Sequence, residues 1–301
     1  MIRYIGVDWG TSSFRLWAIG NEGQLLGERK GGQGMSTLTP AEYGPVLEAH
    51  LAALGVGPEV PVLICGMAGA RTGWHEARYL DLPLPLGDLA GAAIRVPGVA
   101  RDIRILPGVA RRDAERPDVM RGEETMLLGA ALRCGVEGTI CMPGTHSKWA
   151  QVTQGVLTRF ETAMTGEAFA LLSRQSTLSG FVGTEFDEGA FAAGVRAALA
   201  QPETVLRQLF HLRAGPLLEL IEAADVGARL SGLLIGQEIA GAPVGEEAVT
   251  LIASGLLADR YTRALEIAGC TVRRLDADEA VRAGLAAAAA ALWPTCIESV
   301  S

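Results

Sequence analysis

The chain has 301 residues, of which 49% are hydrophobic and 20% charged, the balance of an ordinary soluble globular protein long enough for two folded cores. Its formal charge of −8 argues against a nucleic-acid partner, which requires a basic face. In chain order, an apolar strand over 4–7 ends in Asp8, turns through Trp9-Gly10-Thr11-Ser12-Ser13 and resumes as a strand over 14–20. Asn21-Glu22-Gly23 is a hairpin signal into a third strand over 24–30. The small residues of the first turn suit an anion. Gly10 has no Cβ to hold the backbone away, successive N–H groups make a concave anion site, and Asp8 at the strand end suits a water-ligated Mg²⁺. The same residues also make a plain hairpin turn.

The glycine-rich stretch Gly31-Gly32-Gln33-Gly34-Met35-Ser36 reads as a flexible pocket rim, followed by a helix over 40–54 with Thr39 as N-cap and Pro40 at its first position. A buried strand over 60–65 then runs into Gly66-Met67-Ala68-Gly69-Ala70-Arg71. A second opening of the same layout begins at 138. A strand over 138–142 ends in Pro143-Gly144-Thr145-His146-Ser147, and strands over 148–153 and 156–161 form a hairpin around Gln154-Gly155. Residues 180–245 are helical by composition and carry no motif. A strand over 248–253 leads through Ser254-Gly255 into a helix ending at 269, followed by a strand over 271–275 and a helix over 278–292 with an acidic start. The repeated order of strand, small-residue turn, hairpin, helix and strand points to a duplicated α/β unit, although strand–turn units are common in any α/β protein.

Cys65, Cys134, Cys141, Cys270 and Cys296 are odd in number, scattered and without a C-x-x-C pair, so buried thiols in a reducing cytosol are expected rather than disulfides or a metal site. No basic and apolar leader is visible, and the longest apolar run, 283–293, is too short for a bilayer, so a cytoplasmic setting without membrane contact is expected. The first turn lacks G-x-G-x-x-G and leads into a strand, which argues against a dinucleotide fold.

Asp8-Trp9-Gly10-Thr11-Ser12-Ser13-Phe14-Arg15 resembles the first phosphate motif of sugar kinases in the actin, hexokinase and heat-shock chaperone ATPase superfamily. Pro143-Gly144-Thr145-His146-Ser147-Lys148 resembles their second phosphate motif, and Leu251-Ile252-Ala253-Ser254-Gly255-Leu256 their adenosine motif, with Ser-Gly where the family usually has two glycines. The helices near 122–134 and 278–292 match the two connecting helices. Arg121-Gly122-Glu123-Glu124-Thr125 and Glu161-Thr162-Ala163-Met164-Thr165-Gly166-Glu167 further resemble the 2-dehydro-3-deoxygalactonokinase family. The resemblance implies an α/β fold of two actin-like ATPase (ribonuclease H-like) domains around a central active-site cleft, 1–122 with 279–301 forming one and 123–278 the other. It implies ATP-dependent phosphorylation of the 6-hydroxyl of 2-dehydro-3-deoxy-D-galactonate, with Mg²⁺. The chain remains compatible with a homo-oligomer, with a same-fold kinase for another sugar acid or amino sugar, and with a non-catalytic ATP-binding regulator.

In that frame Gly10, Thr11, Ser12 and Arg15, with Gly144, Thr145, His146 and Lys148, are expected at the phosphates, Ser254 and Gly255 at the adenosine, and Asp8 at the metal. Arg15 suits phosphate oxygens because a planar guanidinium gives bidentate contacts. The acceptor hydroxyl needs a carboxylate to take its proton. In related kinases it stands at the start of the first connecting helix, a position held here by Glu123 where many relatives carry aspartate. Glu124 and Asp118 compete for the role. A helix N-terminus also favours Glu123 and Glu124 through its dipole alone. A sugar acid brings its own carboxylate, for which Arg71 and Arg121 are preferred over Arg111 and Arg112. Gly34 belongs to the pocket rim, while Glu161, Thr165 and Glu167 are candidates for substrate hydroxyls or metal-bound water.

Overall fold

The computed structural model describes residues 1–183, 185–245 and 247–294. The chain opens with strands β1 (Ile2–Trp9), β2 (Phe14–Gly20) and β3 (Leu25–Gly31), then helix α1 (Tyr43–Ala53) and strand β4 (Val62–Gly66). Six short strands follow: β5 (Leu80–Asp81), β6 (Leu84–Pro85), β7 (Ile94–Arg95), β8 (Ile103–Ile105), β9 (Val109–Arg111) and β10 (Asp118–Met120). Helix α2 (Glu123–Cys134) leads into β11 (Gly138–Met142), β12 (Ser147–Thr153) and β13 (Val156–Ala163). Four helices come next: α3 (Thr165–Gln175), α4 (Glu188–Ala200), α5 (Val205–Leu217) and α6 (Val226–Gly241). The chain then passes through β14 (Val249–Ile252), α7 (Gly255–Ile267), β15 (Val272–Leu275) and α8 (Ala277–Leu292). Among the described residues, no helix is long and apolar enough to cross a membrane.

Two compact units emerge. The first comprises 1–137, 152–159 and the described residues from 277 onward; the second comprises 138–151 and 160–276. In the first unit the main sheet runs β3-β2-β1-β4-β8-β7, with β1 antiparallel to β2 and parallel to β4. Parallel strands covered on both faces read as unbroken apolar runs, and all five residues of β4 are buried. Trp9, Phe14, Tyr43, Leu47 and Leu51 join β1, β2 and α1 in one core. Helix α8 packs on β1 and on α2. The α2–α8 crossing is close because it is built on glycine: a methyl at Gly129 would strike the Ala280 carbonyl, and one at Gly284 the Thr125 carbonyl. A small sheet, β10-β9-β5, lies in the same unit, where Val156 and Leu157 also pair with Pro85 and Leu84.

In the second unit the order is β15-β14-β11-β12-β13, with β14 parallel to both β11 and β15. Its core gathers Cys141, Trp149, Phe191, Val195, Ile235, Leu251 and Tyr261. Both sheets therefore place a three-strand meander in the order third, second, first, followed by later strands, β4, β8 and β7 in one and β14 and β15 in the other. This repeated order is the actin-like ATPase pattern, and it makes the fold α/β with two such units.

The sequence reading differs from this architecture in several places. Helix α1 starts at Tyr43 rather than at residue 40, because Glu42 folds back and its carboxylate accepts both the Thr39 N–H (2.7 Å) and the Thr39 hydroxyl (2.8 Å). Thr39 is thus the donor of a turn instead of a helix cap. The compact units also divide the chain differently from the boundary expected at 122/123: α2 lies in the first unit with α8. Cys65 and Cys141 are buried as expected, whereas Cys134 is exposed and Cys270 half-buried; Cys296 lies outside the described residues.

Candidate active site

The antiparallel registers of the first meander explain the charge at its end. Asp8 lies opposite Arg15, and Arg15 opposite Lys30, so three charged side chains form one row across three strands. The Asp8 carboxylate accepts from Arg15 Nη2 at 2.6 Å. The other arm of the guanidinium, Nη1, donates to Asp278 in the first turn of α8, and Lys30 Nζ stands 3.7 Å from the second Asp278 oxygen. Burial lifts the Asp8 carboxyl above its ordinary value, against the pull of Arg15, and the nearby charges of Glu123 and Asp278 lift it further. Burial alone would weaken the Arg15 cation, but Asp8 and Asp278 more than restore it.

The turn above this row is Gly10-Thr11-Ser12-Ser13, closed by the Gly10 N–H to the Ser13 carbonyl at 2.8 Å. Thr11, Ser12 and Ser13 are exposed. The glycine-rich segment that follows β3 lies flush behind them. Met35 N–H donates to the Gly10 carbonyl (3.0 Å) and Ser36 N–H to that of Thr11 (2.9 Å). A Cβ on Gly34 would sit inside contact distance of the Thr11 carbonyl and the Ser12 backbone. Trp9 fixes the same segment by donating from Nε1 to the Gln33 carbonyl at 2.7 Å. Gly34, expected in a substrate rim, thus supports the first turn from behind.

The second turn repeats the device. Glu167 N–H donates to the Thr145 carbonyl at 2.9 Å, and a Cβ on Gly166 would collide with the Gly144 carbonyl. His146 Nε2 and Glu167 Oε2 are 2.6 Å apart. Lys148 is buried and its ammonium turns back to donate to the His146 carbonyl at 3.2 Å. Thr165, a substrate candidate, opens α3 and hydrogen-bonds from its hydroxyl to the buried Glu238. At the adenosine-type turn, Ser254 Oγ donates to Asp276 Oδ2 at 2.7 Å, and Gly255 takes a left-handed φ of 60° with nothing within 4 Å of its Cβ position.

Helix α2 begins where the chain turns sharply at Gly122, whose φ is 107°. Its first two residues fold their carboxylates back onto the leading N–H groups: Glu123 accepts from Arg121 N–H at 3.0 Å and Glu124 from Gly122 N–H at 2.7 Å. The environments of the two acids differ. Glu124 is fully buried, also accepts from the Thr125 hydroxyl (3.1 Å), and is pushed up to about 8 by burial and by Glu123 beside it. It is therefore protonated at neutral pH and shielded from a ligand. Glu123 is partly open and close enough to Asp8 to influence its titration. Asp118 stands in β10 opposite Arg111 and accepts its neighbour's N–H at 2.8 Å.

The arginine candidates also separate. Arg71 is exposed on the loop after β4. Arg121 is buried, donates to the Ala77 carbonyl at 2.7 Å and stacks 4.4 Å from the Tyr79 ring, while its Nε and Nη1 have no hydrogen-bond partner among the described residues. Two further groups joined the picture only in three dimensions. Asp278 lies 270 positions from Asp8 in sequence, and its acidic helix start reads equally as a dipole effect. Glu238 leaves one trace in the sequence, a single acid within the apolar stretch Leu233-Leu234-Ile235-Gly236-Gln237-Glu238-Ile239.

Comparison with known proteins agrees along the whole chain. The family model for 2-keto-3-deoxy-galactonokinase matches residues 8–288. A Rhizobium meliloti (strain 1021) protein named as 2-dehydro-3-deoxygalactonokinase DgoK1 is 50% identical over 300 residues, covering 97% of this chain and 98% of its own. The 2-dehydro-3-deoxygalactonokinase of Escherichia coli (strain K12) is 34% identical over 287 residues, covering 94% and 96%. A crystal structure of a Sinorhizobium meliloti protein described as a 2-dehydro-3-deoxygalactonokinase superposes with a TM-score of 0.94 at 49% identity, covering 99% of both chains. With its turns, charged row and helix start all inside the matched span, the chain belongs to the 2-keto-3-deoxy-galactonokinase family.

Proposed function

We infer that this kinase transfers the γ-phosphoryl group of ATP to the 6-hydroxyl of 2-dehydro-3-deoxy-D-galactonate, in a cytoplasmic step of galactonate breakdown. The observation that carries the reading is the family likeness, which runs through 8–288 without a gap in the motif order. Phosphoryl transfer needs positioning and charge neutralisation more than covalent chemistry. The N–H groups of Thr11 and Ser12 in the first turn, which the Gly10 N–H closes onto Ser13, and those of Gly144, Thr145 and His146 in the second, suit phosphate oxygens. Ser254 and Gly255 leave open backbone for the adenosine.

Among the described residues, no three His, Cys, Asp or Glu side chains converge as a metal cage. The Asp8 carboxylate, a single oxygen donor at the strand end, fits Mg²⁺, which keeps several waters and binds through one or two carboxylates and the substrate phosphates. Asp8 is the residue that would hold it, through water, and the ion would supply neutralisation of phosphate charge. Glu123 takes the proton of the 6-hydroxyl as the new O–P bond forms and the bond to ADP breaks. Glu124, already protonated, leaves that task to its neighbour. Arg15 holds Asp8 in place and offers its charge to the phosphates. Arg71, on its open loop, is the cation available to the substrate carboxylate, whereas buried Arg121 braces the loop that carries Ala77 and Tyr79. A coupled assay tests the reading: ADP formation should depend on 2-dehydro-3-deoxy-D-galactonate, and ADP release indifferent to that acid removes the substrate assignment.

A further inference from the structure

Glu238 is 7% exposed and lies on α6, a helix that carries none of the turns assigned above. Its carboxylate accepts from Trp149 Nε1 at 2.9 Å and from the Tyr261 hydroxyl at 2.7 Å. With the Tyr261 proton on Glu238, the Ser147 hydroxyl donates its own to the Tyr261 oxygen at 2.9 Å, and the Thr165 hydroxyl also hydrogen-bonds to the carboxylate. Trp149, Tyr261 and Ser147 are all buried. One acid thus collects donors from three segments: β12, which continues directly from the second turn; the start of α3, whose Gly166 and Glu167 lie against that turn; and α7, the helix opened by Ser254-Gly255.

A buried carboxylate is an expensive way to hold three segments together, since apolar packing of the same volume is often as stable or more so. Burial indeed raises the Glu238 carboxyl, although the hydrogen bonds around it pull it down. What a carboxylate adds is direction: two oxygens with about four lone-pair sites fix three direct donors at once, with Ser147 held through Tyr261. We propose that Glu238 is a positioning residue for nucleotide binding, setting the second phosphate turn, the α3 start and the adenosine-turn helix in mutual register through Ser147, Trp149, Thr165 and Tyr261. The inference rests on the assignment of those turns to ATP.

In Glu238→Gln the amide keeps the shape but offers one acceptor group in place of two. Tyr261 must then accept rather than donate, and the Ser147 hydroxyl must turn away from it. The KM for ATP should rise at least tenfold, with the KM for the sugar acid within twofold and the melting temperature within a few degrees. Direct ATP binding by calorimetry should weaken by the same factor. Tyr261→Phe, which removes one donor and leaves the carboxylate satisfied by the others, should raise the KM for ATP at least threefold, and it decides the matter should Glu238→Gln fail to fold. A lowered melting temperature with both KM values unchanged would mean a purely structural role and overturns the proposal, as does an unchanged KM for ATP in both variants. Wild-type protein that binds ATP but does not phosphorylate the sugar acid would refute the substrate reading alone, and the calorimetric comparison would still judge Glu238. A wild type that binds no ATP overturns both.

Discussion

At the scale of single residues, neighbouring acids are told apart by their surroundings. Glu123 and Glu124 are indistinguishable in sequence, yet one is partly open and the other sealed. If Glu123 is the base, Glu123→Gln should lower kcat by a factor of about 100 or more, the usual worth of general base catalysis, while ATP affinity measured by calorimetry stays within about threefold. An unchanged kcat would return the role to Glu124 or Asp118. Glu124 makes a different prediction. Its folded value near 8 stands above its ordinary 4.5, so between those values the folded chain keeps a proton that the unfolded chain has released. Stability therefore falls as pH rises through that window, with a slope of at most about 1.4 kcal/mol per pH unit. Glu124→Gln mimics the protonated acid and has no such slope. Urea midpoints at pH 5 and pH 8 should show the variant gaining on the wild type at the higher pH, and parallel midpoints would contradict the assignment. Asp8 and Arg15 were legible as the charged flanks of the first turn, whereas their row with Lys30 is a matter of strand register and no local pattern places Asp278 at its end.

At the scale of elements, both turns owe their shape to a glycine lying behind them. Gly34 abuts Thr11 and Ser12; Gly166 abuts Gly144 and Thr145. A methyl there meets backbone, which cannot swing aside as a side chain can, and overpacking of this kind costs about 1–3 kcal/mol. Gly34→Ala and Gly166→Ala should each lower kcat/KM for ATP at least tenfold. Gly32→Ala serves as the control, because nothing stands within 4 Å of its Cβ position; equal effects at residues 32 and 34 would mean that loop flexibility matters rather than contact. The sequence marked 31–36 as a glycine-rich rim but could not say what it touched, since contact with residues 11 and 12 is a tertiary fact. The long meander strands were readable from apolar runs and turn residues, and α2 only through the family resemblance. Strands β5 to β10 were not, because pieces of two or three residues are shorter than any hydrophobic period.

At the scale of the whole molecule, the chain path makes the first unit depend on both ends of the sequence. Helix α8 returns from residue 277 to cover β1, and Leu285, 1% exposed, lies against Gly6, whose Cβ position is 3.1 Å from Leu285 Cδ1. The same helix carries Asp278 to Arg15. Its sequence, dominated by alanine, shows an amphipathic helix but not which sheet it covers, so this closure was expected only through family likeness. The two contributions of α8 are separable by mutation. Leu285→Ala removes core volume and should destabilise the protein by about 2–5 kcal/mol in urea unfolding, with catalytic constants little changed at low temperature. Asp278→Asn keeps the helix and its packing but withdraws one carboxylate from Arg15. Because that pair is partly exposed, its loss should cost only about 1 kcal/mol or less, whereas kcat/KM for ATP should change several-fold as the guanidinium loses its second anchor. If Leu285→Ala cost no more than Asp278→Asn, α8 would be an appended helix rather than a structural part of the first unit, and the kinase core would have to close without it.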